Sequence, residues 1–234
     1  SGEGLRILDV FQNIGKSLLS DCNKKQLIMT KHFFEKENDD NQIVSNIGIP
    51  VRYRDVKKLS SKFLTNYYEF HLTADDIGFQ TNENIFTKSL DNNIIGFHTP
   101  DIYRGNLIFD PFSEDLDKAN QSVLNLKEVC KHIINNKKNL WPTQKSVKLV
   151  CSFSSFSNDN FNESYKKNYA LIAELMDEFL EIFPGIEILP QLLPSRAWYL
   201  GGQRFVNTFS DPQEVFEFCR KYKKKICLDT SHLI

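Results

Sequence analysis

From residue 47 onward the sequence repeats one unit: a short apolar run, a polar loop, then a stretch whose apolar residues step by three and four. The runs are IGIPVRY (residues 47–53), YYEFHL (67–72), IIGFHT (94–99), VKLVCSF (147–153), IEILPQ (186–191) and KICLD (225–229). Six alternations of this kind predict an α/β architecture built on a parallel sheet, because parallel strands need a crossover between them. Crossovers of one hand wind either an open sheet or a barrel. No glycine-rich phosphate fingerprint follows the first run, which argues against a dinucleotide-binding sheet. A (β/α)8 TIM barrel takes eight units in about 250 residues. Only six fit, so the expectation is a TIM barrel over residues 47–234 that lacks its last two strands. Its two sheet edges would invite self-association into a homo-oligomer.

Between the runs, apolar spacing predicts the helices. Leu116, Ala119, Val123, Leu126, Cys130 and Ile133 form one face, with Ser113 as the expected N-cap ahead of Glu114 and Asp115. Tyr165, Tyr169, Ile172, Met176, Phe179 and Phe183 form another, ended by Pro184-Gly185. Asp211-Pro212-Gln213-Glu214 supplies an N-cap, a proline at the first helical position and a first-turn acid. Phe216 and Cys219, with Val215 beside them, are expected on the apolar side of that helix. Residues 73–93 show no clear phase and read as largely loop.

With 29 basic and 30 acidic residues the net charge is −1, which leaves no electrostatic footprint for nucleic acid. No stretch has the length and apolarity of a membrane span. The five cysteines show no C-x-x-C pair or zinc-type spacing. Two of them, Cys151 and Cys227, sit in apolar runs, which fits a reducing, cytoplasmic compartment.

In a parallel α/β fold the C-terminal strand ends converge on one site. The six runs deliver there Arg52; Glu69 and His71; His98; Ser152 and Ser154; Gln191; and Asp229 with His232. Three of the five histidines thus fall at strand ends, while His32 and His132 do not. Imidazoles and carboxylates in one place suit proton transfer, with or without a divalent ion. The long loop LPSRAWYLGGQRFVNTF (193–209) adds Arg196, Trp198, Gln203 and Arg204, forked donors and an aromatic face suited to an anionic or sugar ligand.

The succession YYEFHL, GFHTP, LPQLLPSRAWYLGGQRF and ICLDTSH resembles the xylose-isomerase-like TIM-barrel superfamily of sugar-phosphate isomerases and epimerases, which also includes the apurinic endonuclease group. The opening GEGLRILDVFQNIGKSLLSDCNKKQLIMTKHF (2–33) resembles the latter half of a SAF (antifreeze-like) domain, with its G-x-G-L, I-G-K and D-x-x-K-x-x-x-I elements. That resemblance implies a partial SAF-like domain over residues 1–40, a linker at 41–46 and the barrel from residue 47. The same order occurs in three-part members of the sialic acid synthase family, so the synthase barrel of the same parent chain is the implied partner. The chain would then be a fragment, inactive alone, of a protein of nonulosonic (sialic-type) acid biosynthesis, with a sugar or amino-sugar phosphate as substrate.

On this resemblance Asp229, Gln191 and His232 fall on metal positions, and His232 also on a substrate contact. Glu69, His71 and His98 are implied as catalytic, and Arg196, Trp198, Gln203 and Arg204 as substrate-binding. The divalent metal would be Mn, Zn, Mg or Co. Gln191 stands where the superfamily usually has Glu, which implies weakened metal binding and leaves a second expectation: a non-catalytic sugar-binding or scaffolding module.

Overall fold

The computed structural model describes residues 44–45, 48–60, 64–65, 67–80, 94–158, 168–197, 204–229 and 232. The chain divides into two units, Ser1–Ser45 and Asn46–Ile234. The SAF-like stretch 1–40 and most of the linker lie outside the described residues.

A five-stranded parallel sheet forms the centre of the second unit. Its strands are β1 (Ile49–Val51), β2 (Tyr67–His71), β3 (Ile94–His98), β6 (Val147–Cys151) and β8 (Ile186–Pro190), in the spatial order β8-β6-β3-β2-β1. Every neighbouring pair is parallel. Chain order and spatial order agree, so the strand order never reverses across the described sheet. Helices α1 (Val56–Ser60), α2 (Leu116–Asn135), α4 (Asn168–Ile182) and α5 (Pro212–Tyr222) make the crossovers, with a short α3 (Lys137–Leu140) after α2. Two small antiparallel pairs were not signalled by the sequence: β4 (Ile102–Tyr103) with β5 (Leu107–Ile108), and β7 (Phe156–Ser157) with β9 (Phe205–Val206). The result is an α/β architecture, a parallel sheet flanked by helices.

The strands alternate in burial because successive side chains leave a strand on opposite faces. In β2, Tyr68 and Phe70 are buried, while Tyr67, Glu69 and His71 face the other way and are half-buried. The first set joins Ile95, Phe97, Leu149 and Ile188 in one core cluster with Leu126, Val129 and Ile133 of α2 and Ile172, Met176 and Phe179 of α4. The opposite face is polar: Glu69, Gly96, Lys148 and Glu187 lie in register across four strands. Gly96 is required there, because the Tyr67 hydroxyl occupies the place a Cβ would take. Gly48 is covered by the same tyrosine ring.

The sixth run departs from expectation. Residues 225–229 form no ladder strand; Cys227 makes a single parallel bridge to Gln191. Two bonds hold it, Cys227 N–H to Pro190 O at 2.7 Å and Leu192 N–H to Cys227 O at 3.0 Å. Leu228 is 58% exposed, so this run is not covered on both faces.

Two helix expectations are also corrected. The N-cap of α2 is Asp115, whose carboxylate accepts from Asp117 N and Lys118 N. Ser113 sits two residues too early, and its hydroxyl instead accepts from Asp115 N at 3.3 Å. The buried face of α2 is turned toward Ser122, Leu126, Val129 and Ile133, leaving Leu116 exposed in the first turn. Ser122 belongs there because its hydroxyl accepts from Asp110 N. In α5, Asp211 caps as expected. Val215 and Phe218 are the buried pair, however, and Phe216 is exposed. Phe218 packs edge-on against Phe209, with ring centroids 5.0 Å apart, and that contact sets the helix rotation. The expected face of α4 is seen from Tyr169 to Phe179; Tyr165 lies outside the described residues. Among the described residues no helix is long and apolar enough to cross a membrane.

Candidate functional site

A cavity of about 380 Å³ opens over the C-terminal strand ends. Arg52, His71, His98, Gln191, Asp229 and His232 line it together. These six come from five different segments, brought together because the sheet is parallel and its strand tips end at one level. Asp101, from the loop after β3, also lines the cavity. A larger recess of about 570 Å³ lies against α2 beside Tyr103 and His132. The strand-end cavity brings three histidines together with Asp101 and Asp229, and that convergence marks it as the candidate site.

His71 and Glu69 form a dyad at its wall, Nε2 to Oε1 2.9 Å. Both point off the same face of β2 because they are two residues apart. The second carboxylate oxygen of Glu69 accepts from Tyr67 OH at 3.0 Å. Burial pulls the Glu69 carboxyl up, but the hydrogen bond and charge of His71, the tyrosine hydroxyl and the charge of His98 outweigh it. Its pKa lies below the ordinary carboxylate value. The carboxylate is therefore ionised and accepts a hydrogen bond from His71 Nε2–H, which leaves Nδ1 as the basic nitrogen when the ring is neutral.

The other two histidines are oriented by backbone carbonyls. His98 Nδ1 lies 2.7 Å from Thr99 O, and His232 Nδ1 lies 2.7 Å from Leu192 O. A carbonyl oxygen only accepts, so each Nδ1 carries a proton, and in the neutral ring each Nε2 is left as a lone pair. Fixing one ring nitrogen through a partner is how proteins prepare the other for a ligand or a proton. Asp229 Oδ2 lies 3.5 Å from His232 Nδ1. His98 Nε2 faces Gln191 Oε1 at 3.3 Å.

Arg52 donates from its guanidinium to His71 O, which holds its side chain against the end of β2. Cys227 lies within the electrostatic reach of Glu69 and Asp229. Burial first, and then those two charges, push its thiol up to about 11, so it is no nucleophile at neutral pH.

The long loop does not reach this cavity with the residues described. Arg196 bridges Phe205 by backbone pairing and lays its guanidinium over the Phe205 ring, 4.5 Å from the centroid. Arg196 and Arg204 are both exposed and neither lines the cavity. Trp198 and Gln203 lie outside the described residues. Asp101 was missed from sequence; its one signal is an acid three residues after His98 in FHTPD. His132, away from the strand ends, is a structural residue. Its Nδ1 accepts from Gly78 N at 3.3 Å, so its Nε2 donates to Tyr53 OH at 2.7 Å, and burial holds its pKa down.

Among the described residues no group of three or more His, Cys, Asp and Glu side chains is close enough to hold a metal ion. No family model matches the chain, and no curated protein matches it.

Proposed function

We propose that the strand-end cavity binds a sugar or amino-sugar, free or phosphorylated, and moves a proton on the carbon beside its carbonyl, as sugar isomerases and epimerases do. The observation that carries this reading is the His71–Glu69 dyad at the wall of a cavity also lined by His98 and Asp229. His71 Nδ1 takes the C–H proton, and the ionised Glu69 stabilises the imidazolium that results. The electron pair of the broken C–H bond forms the enediolate, and its oxyanion faces the guanidinium of Arg52. Returning the proton to the former carbonyl carbon, while the hydroxyl proton passes to the oxyanion, completes an isomerisation; delivery of a proton to the opposite face of the same carbon by a second group completes an epimerisation.

The sequential strand order supports the (β/α)8 barrel as the parent fold, since barrel winding adds each strand beside the last. A divalent ion suits the site through the facing lone pairs of His98 Nε2 and Gln191 Oε1 at 3.3 Å, with Asp229 on the same cavity. When bound it would polarise the carbonyl as a Lewis acid. The resemblance of residues 2–33 and of the strand-end segments supports a sialic-acid-type synthase barrel in the same protein. A cytoplasmic setting fits Cys130, Cys151, Cys219 and Cys227, which are all free thiols.

The test is solvent exchange. The full-length protein is incubated in D2O with amino-sugars and their phosphates, and deuterium at the carbon beside the carbonyl is followed by NMR, with Glu69→Gln alongside. Label entering with the wild type and lost in the variant supports the reading. Ligand binding without label would sink it in favour of a non-catalytic sugar-binding module, which the amide at position 191 favours.

A further inference from the structure

Gln191 is neutral where the strand-end site would gain from a carboxylate, yet it is 5% exposed and held on every side. Its backbone N–H donates to Cys151 O at 3.1 Å, which fixes where the side chain starts. Its Nε2 lies 2.7 Å from Ser152 Oγ, and Ser152 Oγ lies 2.8 Å from Asp101 Oδ1. Ser152 is buried, 3% exposed.

The direction of each bond follows from chemistry. An ionised carboxylate only accepts, so the single Ser152 proton goes to Asp101. Ser152 Oγ must then accept from residue 191, and only the amide nitrogen of Gln191 can donate to it. That assignment turns Gln191 Oε1 away from Ser152 and toward His98 Nε2, 3.3 Å away. A flipped amide would set Gln191 Oε1 against Ser152 Oγ at the shorter, buried contact of 2.7 Å, where the one serine proton is already given to Asp101, and this holds the amide in its orientation.

We infer that Asp101 acts through Ser152 as a positioning residue for Gln191, holding its carbonyl oxygen toward His98 and supplying at one remove the charge that position 191 lacks. Hydrogen bonds in a chain polarise one another, so the Asp101 charge makes Gln191 Oε1 a stronger acceptor than a free amide. On this account the glutamine is matched to its partners. A glutamate at 191 would set two carboxylates against one serine proton, with no donor for the second. The relay stands apart from the isomerase reading, since it needs neither turnover nor a particular sugar.

The test exploits the fact that the relay can run backwards. In the double variant Asp101→Asn with Gln191→Glu, the new amide at position 101 would donate to Ser152. Ser152 would in turn donate to the new carboxylate at position 191. Thermal melts and Mn2+ titrations are measured on the wild type, Gln191→Glu, Asp101→Asn and the double variant. Gln191→Glu alone should lower Tm by about 5 °C, and the double variant should recover at least half of that loss. Additive losses, or a Gln191→Glu protein as stable as the wild type, would overturn the inference. If Gln191→Glu fails to fold, folding of the double variant supports the relay and its failure overturns it. Rescue of Tm with no Mn2+ bound by any of the four proteins keeps the relay and removes the metal from the proposed function.

Discussion

His71 and His98 are register partners on adjacent parallel strands, and their rings stack with centroids 4.8 Å apart and planes 18° from parallel. Each ring has a second, separate anchor: Glu69 for His71 and the Thr99 carbonyl for His98. The stack thus aligns two imidazoles whose roles differ. His71→Phe should keep the stacked contact and change stability by less than about 1 kcal/mol, whereas His71→Ala should lose about 0.5–1.5 kcal/mol. Both should abolish solvent exchange into a bound sugar. Urea melts beside the NMR exchange assay separate the two effects.

Gly96 and Tyr67 should behave as one unit. Gly96→Ala places a methyl on the Tyr67 hydroxyl and should cost about 1–3 kcal/mol, as overpacking does. In a Tyr67→Phe background the same change should cost less, because the atom nearest the new methyl is gone. A double-mutant cycle in denaturant reads the coupling; simple additivity would show that the clash is relieved elsewhere.

Asp110 gives the fold a pH dependence of its own. The residue is 9% exposed; burial pushes its carboxyl up to about 6, against the Phe156 and Phe112 amides and the Ser155 hydroxyl, which pull it down. The folded protein therefore keeps this proton to about pH 6, while the unfolded chain releases it near 3.8. Stability from this group is full below the lower value and is lost as pH rises through the upper one. The loss is roughly 1.4 kcal/mol per pH unit, and about 3 kcal/mol across the window. Asp110→Asn should flatten that part of the stability–pH curve, and denaturant melts at pH 4 and 6.5 would show it.

The cap of α2 offers a direct check of the corrected boundary. Asp115→Ala should cost about 1 kcal/mol, since two helix amides lose their acceptor. Ser113→Ala should cost less, because its hydroxyl accepts only the amide of the capping residue itself. Equal losses in thermal melts would argue against Asp115 as the cap.

Local pattern carried much of the fold. Five of the six apolar runs are strands of one parallel sheet, α4 ends just before Pro184-Gly185 and α5 starts at its Asp211 cap, because strand alternation, caps and helix phase are set by neighbours in the chain. The sixth run was misread for the same reason. KICLD has the composition of a covered strand, but only the packing around it decides how far it pairs and how exposed Leu228 is. Phe216 and Leu116 failed likewise, since helix rotation is set by partners such as Phe209 rather than by apolar count.

The sequence by itself determined which chemistry could reach the strand ends: Arg52, Glu69, His71, His98, Gln191, Asp229 and His232 all follow from where the runs stop. Tertiary structure alone decided how those groups are wired. His98 and Gln191 are 93 positions apart, and Ser152 and Asp101 are 51 apart. Their contacts exist only because parallel register brings distant strand tips to one level. The direction of each hydrogen bond then depends on which atoms meet there, and no local pattern records that.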